Sequence, residues 1–357
     1  MATNRRNRPE SPPPPYIKIN QLTPPLLTKS APTNSDQKIT SVSDDSQRSA
    51  LKRIAKETLT AIHEGGYSYH GIGQDLAEAV KETKSKTVYY SPSSYIKRWA
   101  SSTQPIPTHS SPTHIAILNI TALDAARRLN KIYKRNPFDS GKIGILNFAS
   151  PRKPGGNFKN GSESQETSIA RSSTLHSALK ADEAQQFYKR YTRENAYYLY
   201  SHGMIYSPNV CIFRDDDGNW TYPFLVDVLS CAAVNAGKLH RANGGITSSQ
   251  EVEIEKEMSE RMGRILYLFE CKGVRSIILG AFGTGVFRNS VTSVARIWAH
   301  LLLLPEARFK DSFDCVIFAI SGEETFADFQ RTFNVWNRQS KTPSVWFEAA
   351  HGPGSDA

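Results

Sequence analysis

A three-layer α/β/α protein, with helices on both faces of a mixed, largely parallel sheet, follows from three observations on this 357-residue chain. From Thr113 onward, short apolar runs alternate with amphipathic stretches of helical period, the pattern of strands joined by covering helices. Two of those apolar runs end in glycine-bearing loops that open onto a helix, the place where open α/β sheets bind ligands. Ahead of them the chain is helical in pattern, which gives the sheet an N-terminal helical extension. No internal repeat is present, and the whole reads as one α/β domain behind a tail.

In order along the chain, residues 1–45 read as a disordered tail. Eight of the 20 prolines fall before residue 33, with Ser, Thr and Asn between them, a composition that cannot bury a core. Arg5, Arg6 and Arg8 leave two readings open, an import or polyanion-touching cluster and a plain solubilising tail. Residues 46–112 form the extension: Leu51, Ile54, Ala55, Leu59 and Ile62 share one helical face, Gly65-Gly66 ends that helix, and a second amphipathic segment covers 75–86. A Ser/Pro-rich extended lead-in over 87–112 packs on the core.

The core is 113–340. Strands are predicted at 115–119, 143–148, 210–213, 224–229, 276–280 and 315–320. Helices are predicted at 122–133, 169–200, 251–271, 291–304 and 325–336. The acids of Asp215-Asp216-Asp217-Gly218 suit a turn, and 341–357 reads as a flexible C-terminus. Tyr188, Tyr191, Tyr197 and Tyr198 fit helix core, with the alternative that one covers a base. Ser172 and Ser173 pack or cap.

The formal net charge of +10 suits a polyanionic partner, or only a mildly basic surface. Four cysteines, Cys211, Cys231, Cys271 and Cys315, are spread singly in or beside apolar runs, as buried reduced thiols would be. His176, His202 and His240 are too separated to suggest a metal site. The longest apolar run, 297–304, contains His300 and stops at Pro305, too short to span a bilayer. The basic N-terminus has no apolar segment behind it and so is no secretory signal. A cytoplasmic or nuclear protein with no membrane partner is expected.

Two loops carry the chemistry. The first bares backbone amides at Gly155, Gly156 and Gly161 before a helix, a ready anion site, and Glu166 puts a carboxylate beside it. The second, Gly280-Ala-Phe-Gly-Thr-Gly-Val-Phe-Arg-Asn289, follows another buried strand. Gly283, Thr284 and Gly285 can wrap a pyrophosphate, with Phe282 and Phe287 as apolar walls. No Gly-Lys-Ser/Thr follows, so it is not a P-loop. Two such loops on one sheet, one with an acid, point to a nucleotide site.

Asn147-Phe-Ala-Ser150, Pro154-Gly-Gly-Asn157, Gln165-Glu-Thr167 seven residues later, and Ile169-Ala-Arg-Ser-Ser-Thr-Leu175 together resemble the microbial-type poly(ADP-ribose) glycohydrolases. Gly280 to Asn289 matches that family's second marker, and Asp227 to Asn235 the strand between; the likeness covers about residues 50 to 337. The resemblance implies a macrodomain fold, ADP-ribose or poly(ADP-ribose) and ADP-ribosylated proteins as partners, and no cofactor. It places Asn147, Gly155, Gly156 and Asn157 at the distal ribose. Gly280, Phe282, Gly283, Thr284, Gly285, Val286 and Phe287 fall at the pyrophosphate and ribose face, and Gln165 would orient the substrate.

Two departures stand out. Asn157 replaces a third glycine, and Thr167 replaces the second glutamate, which in the family is the general acid/base. Cleaving a ribosyl bond needs a proton for the leaving oxygen and a water directed at an oxocarbenium-like carbon, and a threonine hydroxyl supplies neither at neutral pH. Three readings follow: a glycohydrolase in which Glu166 has become the acid/base, a reader of ADP-ribose that lost its acid, or an enzyme for another ADP-ribose derivative. Glu163 is a second candidate acid, weighed against a solvated surface charge. Linkage preference, exo or endo cleavage, the modified target and the oligomeric state are open at this stage.

Overall fold

The stripe of Leu51, Ile54, Ala55, Leu59 and Ile62 turns inward on a 21-residue helix, α1 (Asp44–Glu64). The computed structural model describes residues 44–103, 112–135, 141–193, 198–340 and 345–347. All but the last two residues of the expected tail lie outside that set, as do Tyr197 and the final ten residues. A hairpin follows α1, strands β1 (Gly66–Tyr69) and β2 (Ile72–Asp75), which the sequence reading missed. Its two-residue turn has positive φ at both His70 (50°) and Gly71 (75°), the conformation that matches strand twist. His-Gly is a quieter signal for it than Asn-Gly.

Next come α2 (Ala77–Lys86), β3 (Val88–Tyr90) and a 3-10 turn at Tyr95–Arg98 within the expected extended lead-in. The core runs β4 (His114–Leu118), α3 (Ala122–Arg135), β5 (Lys142–Phe148), α4 (Gln165–Ser172), α5 (Leu175–Leu179) and α6 (Asp182–Arg193). It continues through β6 (Met204–Arg214), β7 (Trp220–Cys231), α7 (Ala236–Asn243), α8 (Ser248–Cys271), β8 (Val274–Leu279) and α9 (Val291–Leu302). It closes with β9 (Cys315–Ala319), α10 (Glu323–Ser340) and β10 (Val345–Phe347).

Eight of these strands form one sheet in the order β10-β4-β9-β8-β5-β7-β6-β3. Every pair from β10 to β7 is parallel, and β6 and β3 add antiparallel at one edge. The mixed, largely parallel sheet is as predicted, and so are the three layers. Alternate residues of a strand serve opposite faces: Ile277 and Leu279 join a core with α8, α9 and α10, while Ile278 joins one with α3 and the helices α4 to α6. Two apolar cores on one sheet are what a helix layer on each side requires.

Several boundaries differ from expectation for identifiable reasons. The helices expected over 169–200 are α4, α5 and α6, the first starting earlier, at Gln165, and ending where Ser173 is extended (φ −152°, ψ 177°) and bridges to Ile212 on β6. Ser173 Oγ accepts the Leu175 amide at 3.2 Å, the capping role expected of it. β6 and β7 run to 11 and 12 residues against the four and six predicted, since Pro208-Asn209 and Pro223 interrupt the apolar runs, and β6 passes the first of these on a shift of register between Ser207 and Val210. α7 was missed, and Val345–Phe347, within the stretch expected to be flexible, pairs with β4. Cys211, Cys231 and Cys315 are buried, whereas Cys271 is exposed at the end of α8. No helix among the described residues is long and apolar enough to cross a membrane.

α1 is fastened to the first glycine loop. Thr58 Oγ1 donates to the Arg171 carbonyl at 2.5 Å and Arg48 Nε to the Asn160 carbonyl at 3.0 Å. Gly161 (φ 74°) lets the helix approach, because a Cβ there would sit 2.4 Å from the Arg48 carbonyl oxygen. A chain shortened to begin at Asp44 is therefore expected to melt with the full-length protein. One begun at Gly66 should melt far lower, as thermal denaturation of the two will show.

Candidate functional site

Both glycine loops leave the same edge of the sheet because β5 and β8 are parallel neighbours, so their C-terminal ends lie side by side. The rings of Phe148, ending β5, and Phe282, just past β8, meet at 5.5 Å between centroids. β7 flanks β5 on its other side, and Asn147 stands opposite Ser230 in that register.

In the first loop Gly155 and Gly156 adopt φ of 70° and 61°, which disfavours other residues. Space forbids them as well. A Cβ on Gly155 would crowd Phe158 and Ala170, and one on Gly156 would stand 3.0 Å from Glu166 Oε2. Asn157 has φ −106°, so nothing in the backbone demands the glycine it replaces. Its Oδ1 accepts from Asn160 Nδ2 at 2.7 Å, an attachment along the loop itself.

The loop ends at α4, whose N-terminus explains Thr167. Ser164 is the N-cap and Thr167 the third helical residue of a reciprocal capping box. Thr167 Oγ1 accepts the Ser164 amide at 2.8 Å and lies within 2.9 Å of the Ser162 and Ser164 carbonyl oxygens, to one of which it donates. The hydroxyl is fully committed to the helix end. Thr167→Ala should cost about 1 kcal/mol of stability, measured by chemical denaturation.

Glu166, one residue earlier, points the other way and is only 2% exposed. Its Oε2 accepts the Ser150 amide at 2.8 Å, the Gly155 amide also donates to the carboxyl, and Asn147 Nδ2 approaches Oε1 at 3.5 Å. Burial, partly offset by those three donors, pushes the carboxyl up to about 8, so it holds its proton at neutral pH. The buried Tyr188 hydroxyl is near enough for Glu166 to act on it. Asn147 is itself fully buried: Nδ2 donates to Ser230 Oγ at 2.9 Å, while Oδ1 has no hydrogen-bond partner among the described residues. Glu163 is exposed, the solvated charge of the blander reading.

Gln165 does something other than expected. Its Oε1 accepts the Phe148 amide at 2.8 Å and its Nε2 donates to the Leu146 carbonyl at 2.7 Å. Both groups lie past Ile145, the last β5 residue paired with β8, so the amide completes the strand edge and pins α4 to it. It positions Glu166, and one Nε2 hydrogen and one Oε1 lone pair stay beyond these two bonds.

The second loop is built to keep its amides free. Trp298 Nε1 donates to the Gly280 carbonyl at 3.1 Å, and Asn289 Nδ2 bridges the Val234 and Gly283 carbonyls at 2.7 and 2.9 Å. The Thr284 amide and hydroxyl both turn back to the Ala281 carbonyl. Among the described residues the amides of Gly283, Gly285, Val286 and Phe287 donate no hydrogen bond, which makes a cradle for an anion. Phe282 is fully buried and so supports the loop from below, not walling a ligand as expected. Phe287 is half-buried against Tyr200, at 5.7 Å between ring centres, and is the available wall; Val286 is 79% exposed.

The structure thus joins Asn147, Gly155, Gly156, Glu166 and the 280–287 loop, and sets Gln165, Thr167 and Phe282 behind them. Sequence reasoning missed Ser230, Tyr200 and the tie made by Asn289, and it named Tyr188 without its link to Glu166. Ser230 and Asn289 lay inside motifs that were singled out, and Tyr188 in the aromatic stretch. The Ser150 amide left no side-chain signal at all. Among the described residues no three His, Cys, Asp or Glu side chains converge as metal ligands.

Residues 55–215 match the family described as "Microbial-type PARG, catalytic domain". The poly(ADP-ribose) glycohydrolase of Thermomonospora curvata is 32% identical, with a TM-score of 0.71 over 81% of this chain and 99% of that one. The same bacterial protein bound to the inhibitor ADP-HPD is 33% identical, with a TM-score of 0.69 over 80% and 100% of the two chains. The poly(ADP-ribose) glycohydrolase of Deinococcus radiodurans in complex with ADP-ribose is 28% identical, with a TM-score of 0.60 over 72% and 98%. No curated protein matches the chain.

Proposed function

The chain belongs to the microbial-type poly(ADP-ribose) glycohydrolases and is a glycohydrolase that releases ADP-ribose; from that premise we propose that Glu166 is its general acid and base. The observation that supports the assignment is the position of this carboxyl. It is buried against the first glycine loop, held by the Ser150 and Gly155 amides and protonated at neutral pH, while the neighbouring Thr167 hydroxyl is used up in the helix cap.

The reaction then runs as follows. The diphosphate of the terminal unit rests on the bare amides of Gly283 and Gly285 to Phe287, which donate to its oxygens without bringing a side chain into the cradle. Asn147 offers its unpartnered Oδ1 to a ribose hydroxyl, its orientation fixed by the Ser230 hydroxyl. As the bond from the anomeric carbon to the leaving ribosyl oxygen breaks, Glu166 gives its proton to that oxygen. The carboxylate then takes a proton from a water whose oxygen bonds to the anomeric carbon, and the acid is restored. Gly155 and Gly156 bring backbone, and no bulk, to the carboxyl.

Incubation with poly(ADP-ribose) and with mono-ADP-ribosylated protein tests this reading. Free ADP-ribose released from either is the expected product, and polymer bound but left intact would make the chain a reader of ADP-ribose.

The raised acid also sets a pH profile. Because Glu166 must be protonated in the free enzyme, kcat/KM should fall as pH rises through about 8. Its folded value lies above the ordinary carboxylate range, so the stability it contributes is complete below about pH 4.5 and lost as pH rises towards 8. Compared with Glu166→Gln, the wild type should lose at most about 1.4 kcal/mol per pH unit within that window. Melting temperatures of the two proteins across pH 4 to 9 check the sign.

A further inference from the structure

Lys52, Lys56 and His63 share one face of α1 and span about 16 Å of its length. Lys159, in the 3-10 turn Phe158–Asn160, faces them across a groove of about 530 Å³. All four side chains are exposed, and the floor between them is apolar, made by Ala55 and Leu59. Glu64 stands at one end of the groove. The other acid of this stretch, Glu57, is held by Arg214 at 3.0 Å and Arg53 at 3.9 Å. Lys52, Lys56 and Lys159 make no ion pair among the described residues, and Lys180 joins Lys159 in acting on the ring of His176. Unneutralised cations brought together in folding repel one another, and a polyanion laid between them relieves that repulsion.

Lys159 ties the groove to the first glycine loop. Lys159 follows Gly155 by four residues, which puts it within about 14 Å along the chain. The ring of Phe158 beside it packs on Gly155. The chain's own tail does not fit as the occupant, since residues 1–43 carry six basic residues against two acidic. We propose that this groove between α1 and the Lys159 turn is a second binding site for poly(ADP-ribose), taking the diphosphates of units beyond the one being cleaved. The proposal rests on the glycohydrolase reading for the identity of the polymer.

The test measures affinity on a Glu166→Gln background, which holds polymer uncut, with and without Lys52→Gln, Lys56→Gln and Lys159→Gln together. Probes are long poly(ADP-ribose), ADP-ribose alone, and single-stranded DNA of matching charge, each across a salt series. Polymer affinity is expected to fall about 10-fold or more, with the slope of log affinity against log salt shallower by about two, and ADP-ribose affinity unchanged. Unchanged polymer affinity and slope would overturn the groove, and so would an equal loss of affinity for ADP-ribose. DNA that binds as tightly as polymer and weakens by the same factor would overturn its occupant. The glycohydrolase reading fails separately, if the enzyme with Glu166 and all three lysines intact releases no ADP-ribose.

Discussion

Glu166→Gln is expected to lower turnover of poly(ADP-ribose) by about 10² to 10⁴, the usual share of general acid–base catalysis, and to leave ADP-ribose affinity within a few-fold. The amide matches the protonated carboxyl in size and lack of charge. It can still accept from the Ser150 and Gly155 amides, so the site should keep its shape and lose only its transferable proton. Thr167→Glu is the companion variant. A glutamate at the third helical position can serve a capping box, but it also sets a second carboxylate next to Gly156, where Thr167 Cγ2 lies 3.3 Å from the Cβ position. If Glu166 is the acid, that variant should gain little or lose activity through the added charge. An inert wild type beside an active Thr167→Glu would reverse the assignment and make this chain a binding module.

The second large effect is Gly285→Glu, which should reduce ADP-ribose affinity by about 10² or more while the melting temperature holds. The two outcomes separate because of where this glycine sits. A Cβ at Gly285 meets nothing within 4 Å and its φ is ordinary, so the backbone accepts a side chain. The glutamate would then lie among the bare amides and repel a diphosphate. Gly283 offers no such clean test, since its φ is 77° and a Cβ there would stand 2.4 Å from that of Ala233. Calorimetry with ADP-ribose decides the matter, and unaltered affinity for Gly285→Glu would remove the cradle from this loop.

Much of this architecture was readable from the chain because it depends on short-range signals. The run from Ile143 to Phe148 and the glycines after it fix a strand and a turn by local rules, and Glu166 follows by position, although α4 starts at Gln165, before the stretch expected to be helical. What could not be read depends on partners distant in sequence. Phe282 and Phe287 are the same residue in the same loop, and only packing against Phe148 in one case and Tyr200 in the other separates support from wall. Gln165 reads as a substrate contact until the unpaired edge of β5 is seen beside it. Thr167 shows as a missing acid, but its work in the helix cap is visible only in three dimensions. The hairpin after α1 and the full length of β6 and β7 were hidden because their outer residues do not alternate cleanly.

The two loops are unequally anchored. The 280–289 turn hangs from the larger core through Ala281 and Phe282, whereas the 155–161 turn is held by a small cluster of Ala55, Phe158 and Ala170 beneath α1. Water reaching the carboxyl through a brief opening of that weaker side would hydrate it, and a hydrated carboxylic acid gives up its proton at neutral pH. If Glu166 is the acid, its proton is thus a property of the closed loop as much as of the glutamate. Each time the turn springs open, the enzyme would disarm itself, and it would rearm on closing by drawing a proton from solvent.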